Sequence, residues 1–238
     1  MSHTRNRFVH INQRIKSAIE QSTHTTDNLV TLLAVSKHHP LEKIMTIYDL
    51  GQRDFGESYL QEALAKISAT PHKDIIWHFI GPIQSNKTRD IASHFQWVHS
   101  VDRLKIARRL SAQYPNKRSQ PLNICLQINI SNEPQKSGFS LDEINTQLSE
   151  IIKLPNLAVR GLMAIPKAST NLQQQKLAFS QLRQLLQQLN TQFELNMDTL
   201  SMGMSNDLEA AIAEGATIVR IGTALFGARD DKTRYNSN

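Results

Sequence analysis

Short apolar runs and amphipathic helical stretches alternate eight times along this chain, and that rhythm limits the available folds more than any other feature. The runs are 29–35, 53–56, 74–80, 97–101, 123–130, 157–164, 199–202 and 217–221. Between them lie helical patterns over 41–50, 59–69, 87–94, 103–114, 141–152, 172–189 and 207–214, with a short ending at 222–227. Alternation of this kind predicts parallel strands joined by right-handed crossovers. Eight such units within 238 residues predict an α/β fold of the (β/α)8 TIM-barrel type. An open doubly wound sheet is the alternative, because the second and seventh runs are short.

Punctuation supports these boundaries. Pro40 suits a first helical turn and Gly51 a helix stop. Ser140 with Glu143 three residues on fits a capping box. Before the first strand, Arg5–Gln21 places Phe8, Ile11, Ile15, Ala18 and Ile19 on one face, an extra N-terminal helix. No linker or composition break divides the chain. The expectation is one domain over 1–230 and a flexible tail over 231–238.

Composition narrows the function classes. The single cysteine, Cys125, lies in an apolar run, which excludes an internal disulfide framework and fits a reducing compartment. No run reaches the roughly 18 apolar residues of a membrane span, and Met1–Arg14 is polar and basic rather than a secretory leader. The expected location is therefore the cytoplasm, with no membrane partner. The net charge is +6, but the basic residues are dispersed, with no aromatic-interleaved stripe, so nucleic acid is not an expected partner. Neither the Gly-x-Gly-x-x-Gly nor the Gly-x-x-x-x-Gly-Lys-Ser/Thr phosphate fingerprint occurs. No exposed apolar stripe is evident, and a monomer is expected.

The first strand carries the sharpest chemical signal. Leu29–Ser36 is apolar or β-branched in seven of its eight residues, and Lys37 follows. Such a run suits a strand buried on both faces, with the lysine at its C-terminal end. Partial desolvation there favours the neutral amine, the form that condenses with aldehydes. A lysine snorkelling at a strand end is the competing reading.

Barrel enzymes gather chemistry at the C-terminal strand ends and often bind phosphate after strands seven and eight. Strand seven runs into Ser201-Met202-Gly203-Met204-Ser205-Asn206-Asp207, where Ser205 or Asn206 can cap the next helix and Gly203 permits close backbone approach. Strand eight runs into Arg220-Ile221-Gly222-Thr223-Ala224. Two hydroxyl-bearing glycine turns side by side make a phosphate cup; helix capping and strand termination are the plainer alternatives. In a closed barrel strand one neighbours strand eight, so a ligand held there by phosphate offers an aldehyde to Lys37. Aldehyde and phosphate on one small ring describe pyridoxal 5′-phosphate. Arg220, permanently charged, would keep a pyridine nitrogen unprotonated and make the ring a weaker electron sink; a salt bridge at the barrel mouth is the alternative.

Several segments closely resemble one family: Ala34-Val35-Ser36-Lys37, Phe55-Gly56-Glu57-Ser58-Tyr59, Trp77–Lys87, Gly161–Pro166, Ser201–Ser205 and Arg220–Gly227. The resemblance, from about Arg5 to Asp230, is to the pyridoxal-phosphate homeostasis proteins, single-domain relatives of the alanine racemase N-terminal barrel. It implies that the cofactor is carried as a Schiff base on Lys37. It further implies a phosphate site around Ser201, Ser205, Gly222 and Thr223, with Arg220 near the ring nitrogen and Met163 near the ring. Ser58 stands where the family usually has asparagine; serine keeps a hydrogen-bonding group but is shorter.

Racemisation needs acid–base groups on both faces of a carbanion, and alanine racemase supplies one from a second domain for which this chain is expected to have no room. Tyr59 reads as a helix start, His38 and His39 as solvent-facing, and His78 as locally hydrogen-bonded. The expected function is therefore pyridoxal-phosphate binding without turnover, in vitamin B6 and amino-acid homeostasis, with hand-over to apo-enzymes. No catalytic residue and no metal ligand is expected. A racemase-like enzyme of low activity is the alternative.

Overall fold

A computed structural model describes residues 2–24, 29–133 and 135–228. Eight parallel strands follow one another around a closed barrel in sequence order: β1 (Thr31–Val35), β2 (Asp54–Glu57), β3 (Ile76–Phe79), β4 (Trp97–Val101), β5 (Leu122–Gln127), β6 (Leu157–Met163), β7 (Thr199–Ser201) and β8 (Ile218–Ile221). The predicted TIM barrel is thus the fold, and the open sheet is not. Strand β1 is buried from Leu32 to Val35 and pairs on both edges, Ala34 with Phe55 of β2 and with Ile221 of β8. The shortest strand, β7, aligns with β8 only through Ser201 and Ile218.

The helices are α1 (Ser2–Glu20), α2 (Leu41–Tyr48), α3 (Leu60–Ala69), α4 (Thr88–His94), α5 (Leu104–Ala112), α6 (Leu141–Ile151), α7 (Leu172–Phe193), α8 (Leu208–Ala213) and α9 (Thr223–Phe226). Each long helix turns an apolar stripe inward. Ile44 and Ile47 of α2, Ile106 and Leu110 of α5, and Leu182 and Leu189 of α7 are fully buried. Burial of one such side chain contributes about 1.5–3 kcal/mol. The capping box of α6 is present: Ser140 Oγ accepts from the Glu143 N–H at 3.2 Å, and Glu143 Oε2 accepts from the Ser140 N–H at 2.8 Å.

Helix α1 is not an appendage. Among the described residues only the single turn of α9 follows β8, and α1 packs against α8, α9 and α2 through buried Ile11, Ile15 and Ala18. It therefore takes the eighth place in the outer ring.

Some predicted boundaries shift for physical reasons. Asp74 lies outside β3 because its carboxylate accepts from Tyr48 Oη at 2.8 Å and Arg53 Nε at 2.7 Å. A 3-10 turn over Ser85–Lys87 precedes α4. Strand β5 stops at Gln127, and Ile128 turns to bridge Phe139. The predicted tail over 231–238 lies outside the described residues. Among the described residues no helix is long and apolar enough to cross a membrane.

Candidate functional site

Lys37 sits in a half-buried turn just beyond β1, and a buried ion cluster ties down the residues on either side of it. Ser36 Oγ donates to Glu57 Oε1 at 2.6 Å, and Lys66 Nζ donates to the Ser36 carbonyl at 2.8 Å. Lys66 also reaches Glu57 Oε1 at 2.7 Å and Glu62 Oε1 at 2.6 Å. Glu62 Oε1 in turn accepts the His38 N–H at 2.6 Å. Glu57 is fully buried; burial pushes its carboxyl above the usual range, against the opposing pull of Lys66. The Glu62–Lys66 pair shows its i,i+4 spacing in the sequence, but nothing there says that Glu57 joins it.

His38 adopts φ +63°, and this left-handed step folds the next residue inward. His39 was expected to face solvent. Instead it is 4 % exposed and stacks on Phe226 with ring centroids 4.9 Å apart. Tyr59 immediately precedes α3, as expected, and its half-exposed ring leans on His38 at 4.7 Å.

The turns after β7 and β8 line one cleft of about 1570 Å³, which includes Met204, Ser205, Asn206, Thr223 and Ala224. Gly203 has φ +92°, and a Cβ there would lie 2.6 Å from the Ala211 Cβ. Glycine is therefore required for the loop to fold against α8. Neither Ser205 nor Asn206 caps α8. Asp207 stands at the cap position without a side-chain cap bond, because its carboxylate turns back to accept the Met204 N–H at 2.5 Å. Ser205 is braced from outside the barrel: Arg14 of α1 donates to its carbonyl at 3.0 Å and holds both oxygens of Glu209. Gly222 abuts the end of β1, since a Cβ on it would lie 3.5 Å from the Val35 carbonyl oxygen. The turn bearing Thr223 and the turn bearing Lys37 are therefore neighbours.

Beneath the mouth, Arg220 is 5 % exposed. Among the described residues it makes no salt bridge at the barrel mouth. Its Nη1 donates to the Ser201 carbonyl at 2.6 Å and to Ser201 Oγ at 2.8 Å, and its Nη2 donates to the Ala164 carbonyl at 2.9 Å. Burial lowers its pKa to about 10, with Asp207 and then Cys125 pulling the other way, so it is a cation at neutral pH. Ser201 is fully buried, and its hydroxyl also meets His99. Met163 is buried and lies in register with Ser201 on the neighbouring strand. Ser58 is half-buried at the end of β2, where Gly81 packs so closely that a Cβ would lie 2.1 Å from the Ser58 carbonyl oxygen. Cys125 is a buried hydrophobe whose thiol burial pushes up to about 12. His78 is locally hydrogen-bonded, to Asp54 and His99. Among the described residues no cluster of three or more His, Cys, Asp or Glu is placed to hold a metal ion.

Lys37, Ser58, Ser205, Gly222 and Thr223 all follow the C-terminal ends of strands and so share one barrel rim, Ser205 and Thr223 alone among them lining the cleft, while Met163, Ser201 and Arg220 are buried on β6, β7 and β8 as its floor. The rim carries an amine and three hydroxyls and the floor a cation, a set that suits a small anionic aldehyde.

Comparison with known proteins gives a consistent picture. The family described as alanine racemase, N-terminal domain, matches residues 12–230. A pyridoxal phosphate homeostasis protein of Pseudomonas aeruginosa is 59 % identical over 201 residues, 84 % of this chain and 85 % of that one. Its counterpart in Haemophilus influenzae is 47 % identical over 229 residues, 95 % and 96 % of the two chains. The solved structure of PipY from Synechococcus elongatus with PLP bound is 37 % identical, with a TM-score of 0.79 over 90 % of this chain and 100 % of that one. Alanine racemase of Clostridium difficile shares the fold, at 10 % identity and a TM-score of 0.73, over 97 % of this chain and 59 % of that enzyme.

Proposed function

The chain belongs to the family of pyridoxal phosphate homeostasis proteins, and we propose that it holds pyridoxal 5′-phosphate as a Schiff base on Lys37. The observation that carries this reading is the meeting of two strand ends. The turn after β8 packs on the last residue of β1, so an anion seated near Thr223 and Ser205 lies beside the Lys37 turn. The group supplies an electrophilic aldehyde on a phosphorylated pyridine ring. Lys37 supplies the amine, and the ion cluster on Ser36 and His38 limits where that amine can swing. The Ser205 and Thr223 hydroxyls offer hydrogen bonds to phosphate, with Gly222 allowing close approach. Arg220 would stand at the ring nitrogen as a donor and keep it unprotonated, Ser201 anchors Arg220, and Met163 would lie near the ring. Ser58 is the remaining contact.

The role is that of a carrier, protecting the cell from a reactive aldehyde and passing it to apo-enzymes. The groups nearest Lys37 support this over racemisation, because each has another task. His39 is buried under Phe226, His38 leans on Tyr59 and lies 4.0 Å from Glu62, and neither arrangement resembles a poised acid. A cytoplasmic location fits the single, buried cysteine.

The test is spectroscopic. Protein incubated with pyridoxal 5′-phosphate should absorb near roughly 420 nm, as expected for Schiff-base chemistry. Borohydride should fix the label on the Lys37 peptide, and Lys37→Ala should remove the band. A label on another lysine refutes the site. Turnover of any amino acid at about 1 s⁻¹ or faster, abolished by Lys37→Ala, refutes the carrier role.

A further inference from the structure

A line of polar side chains crosses the barrel interior and ends on Arg220. Asp54, at the start of β2, meets His78 Nε2 at 3.0 Å. His78 Nδ1 meets His99 Nε2 at 2.9 Å, and His99 Nδ1 meets Ser201 Oγ at 2.7 Å. Ser201 Oγ accepts from Arg220 Nη1 at 2.8 Å. His78, His99 and Ser201 are each at most 1 % exposed, so no water completes their hydrogen bonding from outside.

Counting protons fixes the direction of the line. A guanidinium only donates and a carboxylate only accepts. Four links join these two ends. Each receives one proton if Arg220 donates to Ser201, Ser201 to His99 Nδ1, His99 Nε2 to His78 Nδ1, and His78 Nε2 to Asp54. The reverse tautomers strand the Ser201 proton and leave no hydrogen between His78 and Asp54. Both imidazoles must then be neutral. Burial lowers the pKa of each, that of His99 furthest, with His78 and Arg220 adding to the effect.

We infer that His78 and His99 are positioning residues: neutral, with the proton on Nε2, they transmit the anchorage of Asp54 through Ser201 to the guanidinium of Arg220. The line orients Arg220 without conducting a proton, because an arginine has none to yield at neutral pH. Its value to the ligand rests on the reading that Arg220 faces the ring of pyridoxal 5′-phosphate.

Two measurements test this. In ¹⁵N-labelled protein without ligand, long-range imidazole correlations should show His78 and His99 as Nε2–H tautomers at pH 7. An Nδ1–H tautomer or a charged ring at either position overturns the inference, whatever the protein binds. The second measurement is affinity for pyridoxal 5′-phosphate. His99→Leu removes the acceptor for Ser201, whereas His99→Asn keeps an oxygen close to the place of Nδ1. Given the strength of hydrogen bonds to charged groups, affinity should fall about tenfold in His99→Leu and stay within about threefold in His99→Asn. A merely structural role would lower the melting temperature of both and leave affinity alone, and that result overturns the inference. If His99→Leu does not fold, the tautomers and His99→Asn still decide it: unchanged affinity with the wrong tautomer refutes. If Arg220→Leu weakens binding and His99→Leu does not, only this inference fails. If the parent protein does not bind the ligand, the functional reading fails instead.

Discussion

Replacing Lys66 by Met should destabilise the protein by an amount that grows with pH. The ammonium is 8 % exposed and makes three charge-assisted contacts, with Ser36, Glu57 and Glu62. Methionine keeps most of the stem volume, so the change is largely electrostatic. Glu62 is 27 % exposed and recovers water, which limits its share to under about 1 kcal/mol. Glu57 has no exposure, and its Oε2 has no hydrogen-bond partner among the described residues. Removing the cation from a buried pair costs about 3–5 kcal/mol, a large part of the stability of a typical domain. The pH dependence follows from Glu57. Its folded pKa lies above the unfolded value because of burial, and Lys66 is what restrains it. Without Lys66 it rises further. A carboxyl raised on folding contributes stability that is present below its unfolded pKa and is lost as pH rises through the folded one. The deficit should therefore shrink toward acid pH and grow as pH rises through the folded pKa of Glu57. Urea titrations followed by the fluorescence of buried Trp77 would measure it. A second variant, Glu57→Gln with Lys66→Met, should recover most of the loss, since removing both charges is nearly neutral. A cost below about 1 kcal/mol at pH 8, or a cost that does not shrink on acidification, refutes the reasoning.

Three further outcomes are expected. Gly203→Ala forces a Cβ into φ +92° and to within 2.6 Å of Ala211; it should cost about 2 kcal/mol or more in urea denaturation and weaken pyridoxal-phosphate binding. Cys125 is fully buried with its thiol pushed up to about 12, so it should resist a thiol-reactive disulfide at pH 8 and react fully once the protein unfolds. Arg14→Ala releases the Ser205 carbonyl and Glu209; stability should fall by no more than about 1 kcal/mol, while affinity for phosphate-bearing ligands, read by spectral titration, falls several-fold.

The barrel was legible because its strands are buried on both faces, which makes them read as unbroken apolar runs such as Leu32–Val35. Lys37 stood out because it ends such a run. The same logic could not place α1. An amphipathic stripe says that one face is covered and not by what, so its seat as the eighth outer helix depends on a seam between chain segments far apart in sequence. His39 reads as solvent-facing in the sequence because the left-handed residue before it, which redirects the chain, gives no local sign. The α8 cap was misplaced because Asp207 bonds backwards to Met204 rather than forwards into the helix. The polar line through the interior was invisible for a different reason. His78 and His99 lie on adjacent strands, but Ser201 is 102 residues from His99, and only barrel closure brings them together.

The position of α1 bears on how the protein is made. Residues 2–20 leave the ribosome well before part of the surface they dock on, because the α9 turn follows Ile221. At about 5–20 residues per second, the nascent helix waits about 10–40 s with Ile11 and Ile15 uncovered. A seam of the ring is thus shut by a segment made long before its partner, and during that interval a chaperone has an apolar helix to hold.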